Sequence, residues 1–365
     1  MPEFDYLIVG CGLTGATLAE RIATVLDKKV LIIDKRPHIG GNAHDFYDDA
    51  GLLVSTYGAH IFHTNSERVW AYINRFADFN DYVHTVDAVV GGSTYSLPLN
   101  LDTLNSFFRV HLTSEQVPGF LAKRRVPIDL PANAEESVLS QVGWELYEAF
   151  YKNYTRKQWG IDPRLLDASV TSRLPIRTTV DKRYFSDRWQ GIPRGGYTAL
   201  VQKMLHHANI EVLLNMDYRK AAAEVRFGRL VFTGPIDLYF DFLHGRLPYR
   251  SIDFRFETLD REYYQHTAVV NYPNDHDYTR CVEYKYLNQQ HHARTTVSRD
   301  YPCWNDDEPY YPIPASTNRL LFQRYRAEAD RLSSVLFCGR LGSYQYLNMD
   351  QCIAQGLDVF EREIA

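Results

Sequence analysis

At 365 residues, with 40 Lys+Arg against 45 Asp+Glu and a formal net charge of −5, the chain exceeds one average domain, and its surface as a whole is not shaped for nucleic acid. Hydrophobic residues make up 45 %, yet no run approaches the roughly 20 apolar residues that a membrane-spanning helix needs, so no membrane insertion is expected. Cys11, Cys281, Cys303, Cys338 and Cys352 are widely spaced and form no CxxC pair, which fits free thiols in a reducing compartment.

The N-terminus enters a strand at once, with no basic segment followed by an apolar one, so a cytoplasmic protein is expected. Asp5-Tyr6-Leu7-Ile8-Val9 is a short apolar run ending at Gly10, and Leu13, Ala16, Thr17, Ala19 and Ile22 then recur at helical spacing. A second run, Val30-Leu31-Ile32-Ile33, ends at Asp34 and completes a βαβ unit. Leu101 to Leu166 reads as a helical block with little glycine. From about Arg226 to Arg299 the chain breaks into short β-rich runs such as Leu230-Val231-Phe232 and Thr267 to Tyr272, which suggest a mostly antiparallel sheet. Ser334 to Cys338 reads as a buried strand and Gln351 to Ile364 as a closing helix. The expected fold is α/β: a Rossmann-like domain in three pieces (1–85, 195–225, 330–365), an inserted helical lobe (100–185) and an antiparallel sheet lobe (226–325).

Gly10-Cys11-Gly12-Leu13-Thr14-Gly15 is a GxGxxG turn between strand and helix. Its glycines permit a tight turn, close approach of backbone to a pyrophosphate, and close helix packing. The helix N-terminus offers free N–H groups to phosphate. Asp34, followed by Lys35, is placed to accept the ribose hydroxyls of a dinucleotide. The segment Arg36-Pro37-His38-Ile39-Gly40-Gly41-Asn42 resembles the extended fingerprint of glutathione-reductase-like and amine-oxidase-like flavoproteins, so FAD is favoured over NAD, with Gly41 and Asn42 against it. No His/Cys/Asp/Glu set has metal-ligand spacing.

Further segments recur in order in the bacterial UDP-galactopyranose mutases, which this chain resembles over nearly its whole length. They include Tyr57-Gly58-Ala59-His60-Ile61-Phe62-His63-Thr64, Tyr154-Thr155-Arg156-Lys157-Gln158-Trp159, Arg173-Leu174-Pro175, Tyr184-Phe185, Arg280 with Glu283-Tyr284-Lys285, and Gly339-Arg340-Leu341-Gly342-Ser343-Tyr344-Gln345-Tyr346. The resemblance implies an FAD-dependent isomerase that interconverts the pyranose and furanose forms of a nucleotide sugar, with N5 of reduced flavin attacking the anomeric carbon. UDP-galactose is the first expectation, leading to galactofuranose for cell-surface polysaccharide. The alternatives are UDP-N-acetylgalactosamine, dTDP-fucose, or an amine-oxidase-like FAD oxidoreductase, which would not require the arginine and tyrosine set. NAD(P)H as external reductant and a homodimer are also implied.

The same resemblance assigns residues. Arg173, on a mobile loop near 160–175, and Arg280, on the sheet lobe, would grip the diphosphate with guanidinium forks. Tyr184, Tyr311 and Tyr346 would hydrogen-bond it. Tyr154, with Phe150 and Tyr151 one turn earlier, would offer a platform to the base, and Trp159 would stand at the loop hinge. His60 and Ile61, with His63 nearby, lie in a loop expected against the flavin ring. Arg340 would meet the flavin or its phosphates, and Asn348, Met349 and Asp350 would open the closing helix towards the flavin pyrimidine, with Asn348 counted among the substrate-binding residues. Ala59, Gln345, Asn348 and Tyr284 stand where proline, arginine, aspartate and histidine are usual. Two of these departures remove a charge beside the nucleotide site.

Overall fold

The computed structural model describes residues 2–172 and 175–365. Five strands form a parallel sheet in the order Val335–Phe337, Arg226–Phe232, Glu3–Val9, Val30–Ile33, Ile210–Leu213. Val30–Ile33 is buried at every residue, as a parallel strand covered on both faces must be. The helix Leu13–Leu26 covers one face and packs against the closing helix Met349–Val359, where a Cβ on Gly356 would stand 3.0 Å from Thr17.

Arg226–Phe232 corrects the sequence reading. The run Leu230-Val231-Phe232 was expected in the antiparallel lobe, yet it pairs in parallel between the first strand and the last. A short, wholly buried apolar run carries no alternation that would tell one sheet from the other.

The second sheet has seven strands, in the order Tyr311–Pro312, Tyr249–Leu259, Thr295–Cys303, Arg280–Glu283, Val269–Asn271, Val86–Val90, Ser93–Leu97. All its pairings are antiparallel except that between Val269–Asn271 and Val86–Val90. Its register sets Arg280 opposite Asp300 and Arg250 opposite Tyr311.

Between the Ser93–Leu97 strand and the rest of the sheet the chain builds a helical lobe with a core of its own around Leu104, Val117, Val138, Leu146 and Tyr147. Asn100 and Asn133 cap two of its helices by accepting from Thr103 N and Glu136 N, each at 2.9 Å. A π turn, Tyr147–Tyr151, immediately precedes the helix Lys152–Trp159 that carries Tyr154. No helix among the described residues is long and apolar enough to cross a membrane.

Candidate functional site

The glycine turn opens into a cavity of about 430 Å³ lined by residues of the parallel sheet, the 34–43 segment and the start of the closing helix. Gly10 adopts φ +103°, and a Cβ there would lie 2.1 Å from Thr233 Oγ1; one on Gly15 would lie 2.0 Å from the Gly10 carbonyl oxygen. Both glycines are therefore required by the chain itself. Gly12 differs. Its backbone is extended, and a Cβ would meet only Gly41 Cα, at 3.9 Å. The space above Gly12 is a cradle that a side chain would fill, beside the first free N–H groups of the helix, and it fits a dinucleotide pyrophosphate.

Asp34 Oδ2 accepts from Cys11 N at 2.8 Å and Oδ1 from Arg36 N at 3.0 Å, so the acid that faces the cavity also ties the glycine turn to the next loop. Leu13, Thr14, Lys35, Gly41, Asn42, Arg340 and Met349 line the same cavity. Asn42 Oδ1 is held by Arg36 Nη1 at 2.8 Å. Arg36 in turn pairs with Glu308 at 2.7 Å and lies 4.5 Å over the Tyr57 ring, which fastens the sheet lobe across this end of the cavity. Burial pushes the Cys11 thiol up to about 12, so it is a packing residue rather than a nucleophile.

Ile61 does not line the cavity; its side chain belongs to the apolar core. His60 does line it. Its Nδ1–H donates to the Gly58 carbonyl at 2.9 Å, and Tyr197 OH donates to the His60 carbonyl at 3.1 Å. Burial, with the nearby charges of Arg340 and Arg280, lowers the His60 pKa to about 4. The imidazole is neutral near pH 7 and acts as a fixed donor.

Arg280 lies close enough to His60 for its charge to act on the imidazole. Its Nε donates to Asp300 Oδ2 at 2.8 Å, and Ser298 Oγ donates to Asp300 Oδ1 at 3.2 Å, with Tyr284 OH 2.9 Å from that hydroxyl. Burial pushes the Asp300 carboxyl above its ordinary range while the guanidinium pulls it down; the pair is ionic, because arginine does not give up its proton in proteins. Burial also works against the Arg280 charge, but Tyr154, Asp300, Tyr311 and Tyr346 around it hold its pKa above the ordinary value. Tyr311 and Tyr346 stack at 5.5 Å, and Arg340 lies 5.5 and 5.7 Å from their ring centres. Burial and Tyr346 push the Tyr311 phenol up to about 12, against the pull of Arg280 and Arg340. Trp159 packs beside them, 6.0 Å from Tyr346.

The helical lobe brings Tyr154 near Arg280, and Tyr151 near Tyr184; burial, with Tyr184 nearby, raises the Tyr151 phenol. Tyr184 N donates to the His84 carbonyl at 2.8 Å, and the Tyr184 and His84 rings meet edge-on at 5.4 Å. Phe150 departs from the expectation of a base-facing ring. It is 4 % exposed and packed on Tyr95 and Phe107 inside the lobe. Asn348 occupies the N-cap position of the closing helix, with its N–H held by Gln351 Oε1 at 2.8 Å. Asp350 accepts from Thr64 Oγ1 at 3.0 Å and does not line the cavity. Arg173 lies outside the described residues.

Two residues of the site escaped the sequence reading. His84 is buried beside Arg280, His63 and Phe185, and burial lowers its pKa to about 3; a lone histidine outside any motif gave no signal. Arg250 is a buried arginine whose Nε and Nη2 donate to the Gln158 and Lys157 carbonyls at 3.1 and 3.0 Å, at the end of the Tyr154 helix.

The chain is similar to several known proteins. A family model described as UDP-galactopyranose mutase matches residues 149–346, and one described as an NAD(P)-binding Rossmann-like domain matches residues 8–76. A Klebsiella pneumoniae protein named "probable UDP-galactopyranose mutase" is 39 % identical, covering 98 % of this chain and 94 % of the relative. An Escherichia coli dTDP-fucopyranose mutase is 38 % identical, covering 96 % of each. A crystal structure of reduced UDP-galactopyranose mutase superposes with a TM-score of 0.74 at 15 % identity, covering 100 % of this chain and 94 % of that one, which speaks to the fold.

Proposed function

This chain belongs to the UDP-galactopyranose mutase family, and from that premise we propose that it interconverts UDP-galactopyranose and UDP-galactofuranose with FAD in its reduced form. The observation that carries this reading is the meeting of Arg280, Tyr154, Tyr311 and Tyr346 beside His60, at the end of a cradle suited to a dinucleotide. A hydride-transfer enzyme has no use for a diphosphate grip at that place. A mutase must hold a departing UDP until it returns.

Reduced flavin, when bound, supplies the nucleophile at N5 for the anomeric carbon. Gly10, Gly12 and Gly15, with Asp34, Lys35 and Arg340, would hold the dinucleotide, and the start of the closing helix, where Met349 lines the cavity, would offer it N–H groups. His60, neutral and donating to the Gly58 carbonyl, fixes the loop beside the reacting atoms. Arg280 forms charge-assisted bonds to the diphosphate as negative charge accumulates on the leaving group, with Arg173 as the proposed second guanidinium. Tyr184, Tyr311 and Tyr346 direct hydroxyls to the same oxygens. Tyr154 and Tyr151 stack on the base, and Trp159 anchors the segment that excludes water. NAD(P)H as reductant, a homodimer and a cytoplasmic location complete the reading.

Identities of 39 % and 38 % to a UDP-galactopyranose and a dTDP-fucopyranose mutase leave dTDP-fucose as the second reading. The test is anaerobic turnover of UDP-galactofuranose, then of dTDP-fucofuranose, with dithionite-reduced protein, followed by chromatography. Conversion without net consumption of dithionite supports the mutase. Reductant used in proportion to product sinks it, and a higher kcat/KM for the dTDP sugar moves the assignment to the second reading.

A further inference from the structure

The helix Lys152–Trp159 brings Tyr154 to Arg280, and one turn further along it Lys157 sends its ammonium into the loop 272–279, which leads directly to Arg280. Four main-chain carbonyls converge on Lys157 Nζ. They belong to Tyr272, to Asp275 at 3.2 Å, and to His276 and Tyr278, each at 3.1 Å. The loop holds this shape through its own side chains: His276 takes φ +58° and stacks on Tyr278 at 4.7 Å, and Tyr272 meets both rings edge-on. A second stitch runs beside the first, since Asn274 Nδ2 donates to the Ala149 carbonyl at 2.9 Å and Asn153 Nδ2 donates to Asn274 Oδ1 at 3.0 Å.

An ammonium offers three donors and no acceptor, so a ring of inward carbonyls is satisfied by a cation and by little else. Burial pulls the Lys157 pKa down to about 8, against Asp275 and Asp277, which leaves it charged near neutrality. A surface lysine would gain little from such an arrangement. Here it joins the helix that presents the base platform to the loop that ends in the diphosphate arginine.

We propose that Lys157 is a positioning residue that sets the spacing between the Tyr154 ring and the Arg280 guanidinium, and so fits the pocket to a nucleoside diphosphate rather than to either part alone. The proposal rests on the reading of Tyr154 and Arg280 as base and diphosphate partners. The neighbouring end of the helix is fixed separately by Arg250, so loss of Lys157 shifts alignment without releasing the whole helix.

The experiment compares wild type, Lys157→Met, Asn274→Ala and Arg280→Ala as flavin-loaded proteins, reading the Kd for UDP by calorimetry and KM and kcat for the sugar nucleotide. We expect Lys157→Met to raise the UDP Kd and KM about tenfold while kcat stays within about threefold and flavin content is unchanged, the signature of lost uniform binding. Asn274→Ala should move KM in the same direction by about threefold. UDP affinity unchanged in Lys157→Met, or kcat falling as far as KM rises, overturns the inference. If Lys157→Met does not accumulate as folded holoprotein, an Asn274→Ala variant with wild-type UDP affinity overturns it. Failure of the underlying site reading looks different, because Arg280→Ala would then bind UDP as wild type does.

Discussion

Arg280 and Asp300 stand directly opposite each other on neighbouring antiparallel strands, and the guanidinium reaches the carboxylate at 2.8 Å. The contact follows from register, because residues opposite on paired strands share a face. Ser298, two residues before Asp300, shares that face too and occupies the second carboxylate oxygen. Arg280 is thereby aimed by a fully buried carboxylate. In Asp300→Asn, we expect a loss of about 3 kcal/mol in urea unfolding, the lower end for breaking a buried pair, because a quarter of the arginine side chain is exposed. The UDP Kd should rise about tenfold, or 1.4 kcal/mol. Tighter UDP binding in this variant would show that Asp300 only neutralises Arg280.

Two neighbouring glycines should fail in different ways. Gly15→Ala places a methyl 2.0 Å from the Gly10 carbonyl oxygen, a collision with backbone that we expect to cost at least about 3 kcal/mol, the upper part of the overpacking range. Gly12→Ala meets no protein atom closer than 3.9 Å and keeps an extended backbone that any residue adopts. The second variant should purify with the melting temperature of flavin-stripped wild type but without yellow colour, and thermal melts beside absorption spectra separate the two cases.

The first βαβ unit was legible because the glycine turn, the flanking apolar runs and Asp34 are local in sequence. The helical lobe was legible as texture, and the closing strand and helix repeat the apolar style of the opening. Arg226–Phe232 was not, since its assignment depends on partners far away in sequence, and burial of Leu230, Val231 and Phe232 alike erases period-two alternation over that run. Phe150 and Tyr151 could not be separated by spacing either. Both fall in the π turn Tyr147–Tyr151 and both pack on the lobe core, Phe150 within it and Tyr151 at its edge near Tyr184. Asp300, His84 and Arg250 act through tertiary placement alone.

Histidine burial sets an acid limit on stability. The folded-state values of His84, about 3, and of His60 and His44, about 4, lie below the ordinary value near 6.5, chiefly because burial disfavours the imidazolium. Above pH 6.5 the folded and unfolded chains both hold neutral rings and no penalty arises. Below it the unfolded chain takes up protons that the native chain refuses, so stability falls as pH drops, and the loss levels off near pH 4 for His60 and His44 and only near pH 3 for His84. Melting temperature against pH should show this slope, and His84→Gln should flatten it by removing the most strongly lowered group. Parallel curves for the two proteins would show that His84 takes no part in it.

Arg250 supports a last expectation about the segment behind Trp159. Arg250 is 4 % exposed; among the described residues its guanidinium donates only to the carbonyls of Lys157 and Gln158, and its Cζ would stand 2.8 Å from a Cβ on Gly160. The charge therefore answers the negative end of the helix rather than a carboxylate. Replacing it with methionine removes a costly buried charge and fills much of the same volume, so we expect global stability to change by less than about 2 kcal/mol, as when buried ions give way to apolar residues. The local effect should be larger, because two carbonyls at the helix end lose their donors and the chain from Gly160 onward loses one of its ties to the sheet. Limited proteolysis under native conditions should cut Arg250→Met in that segment at least about five times faster than wild type, which corresponds to roughly 1 kcal/mol of easier local opening. UDP should restore protection if the same segment closes over the diphosphate. Equal cleavage rates with and without UDP would separate the Arg250 clamp from the binding site.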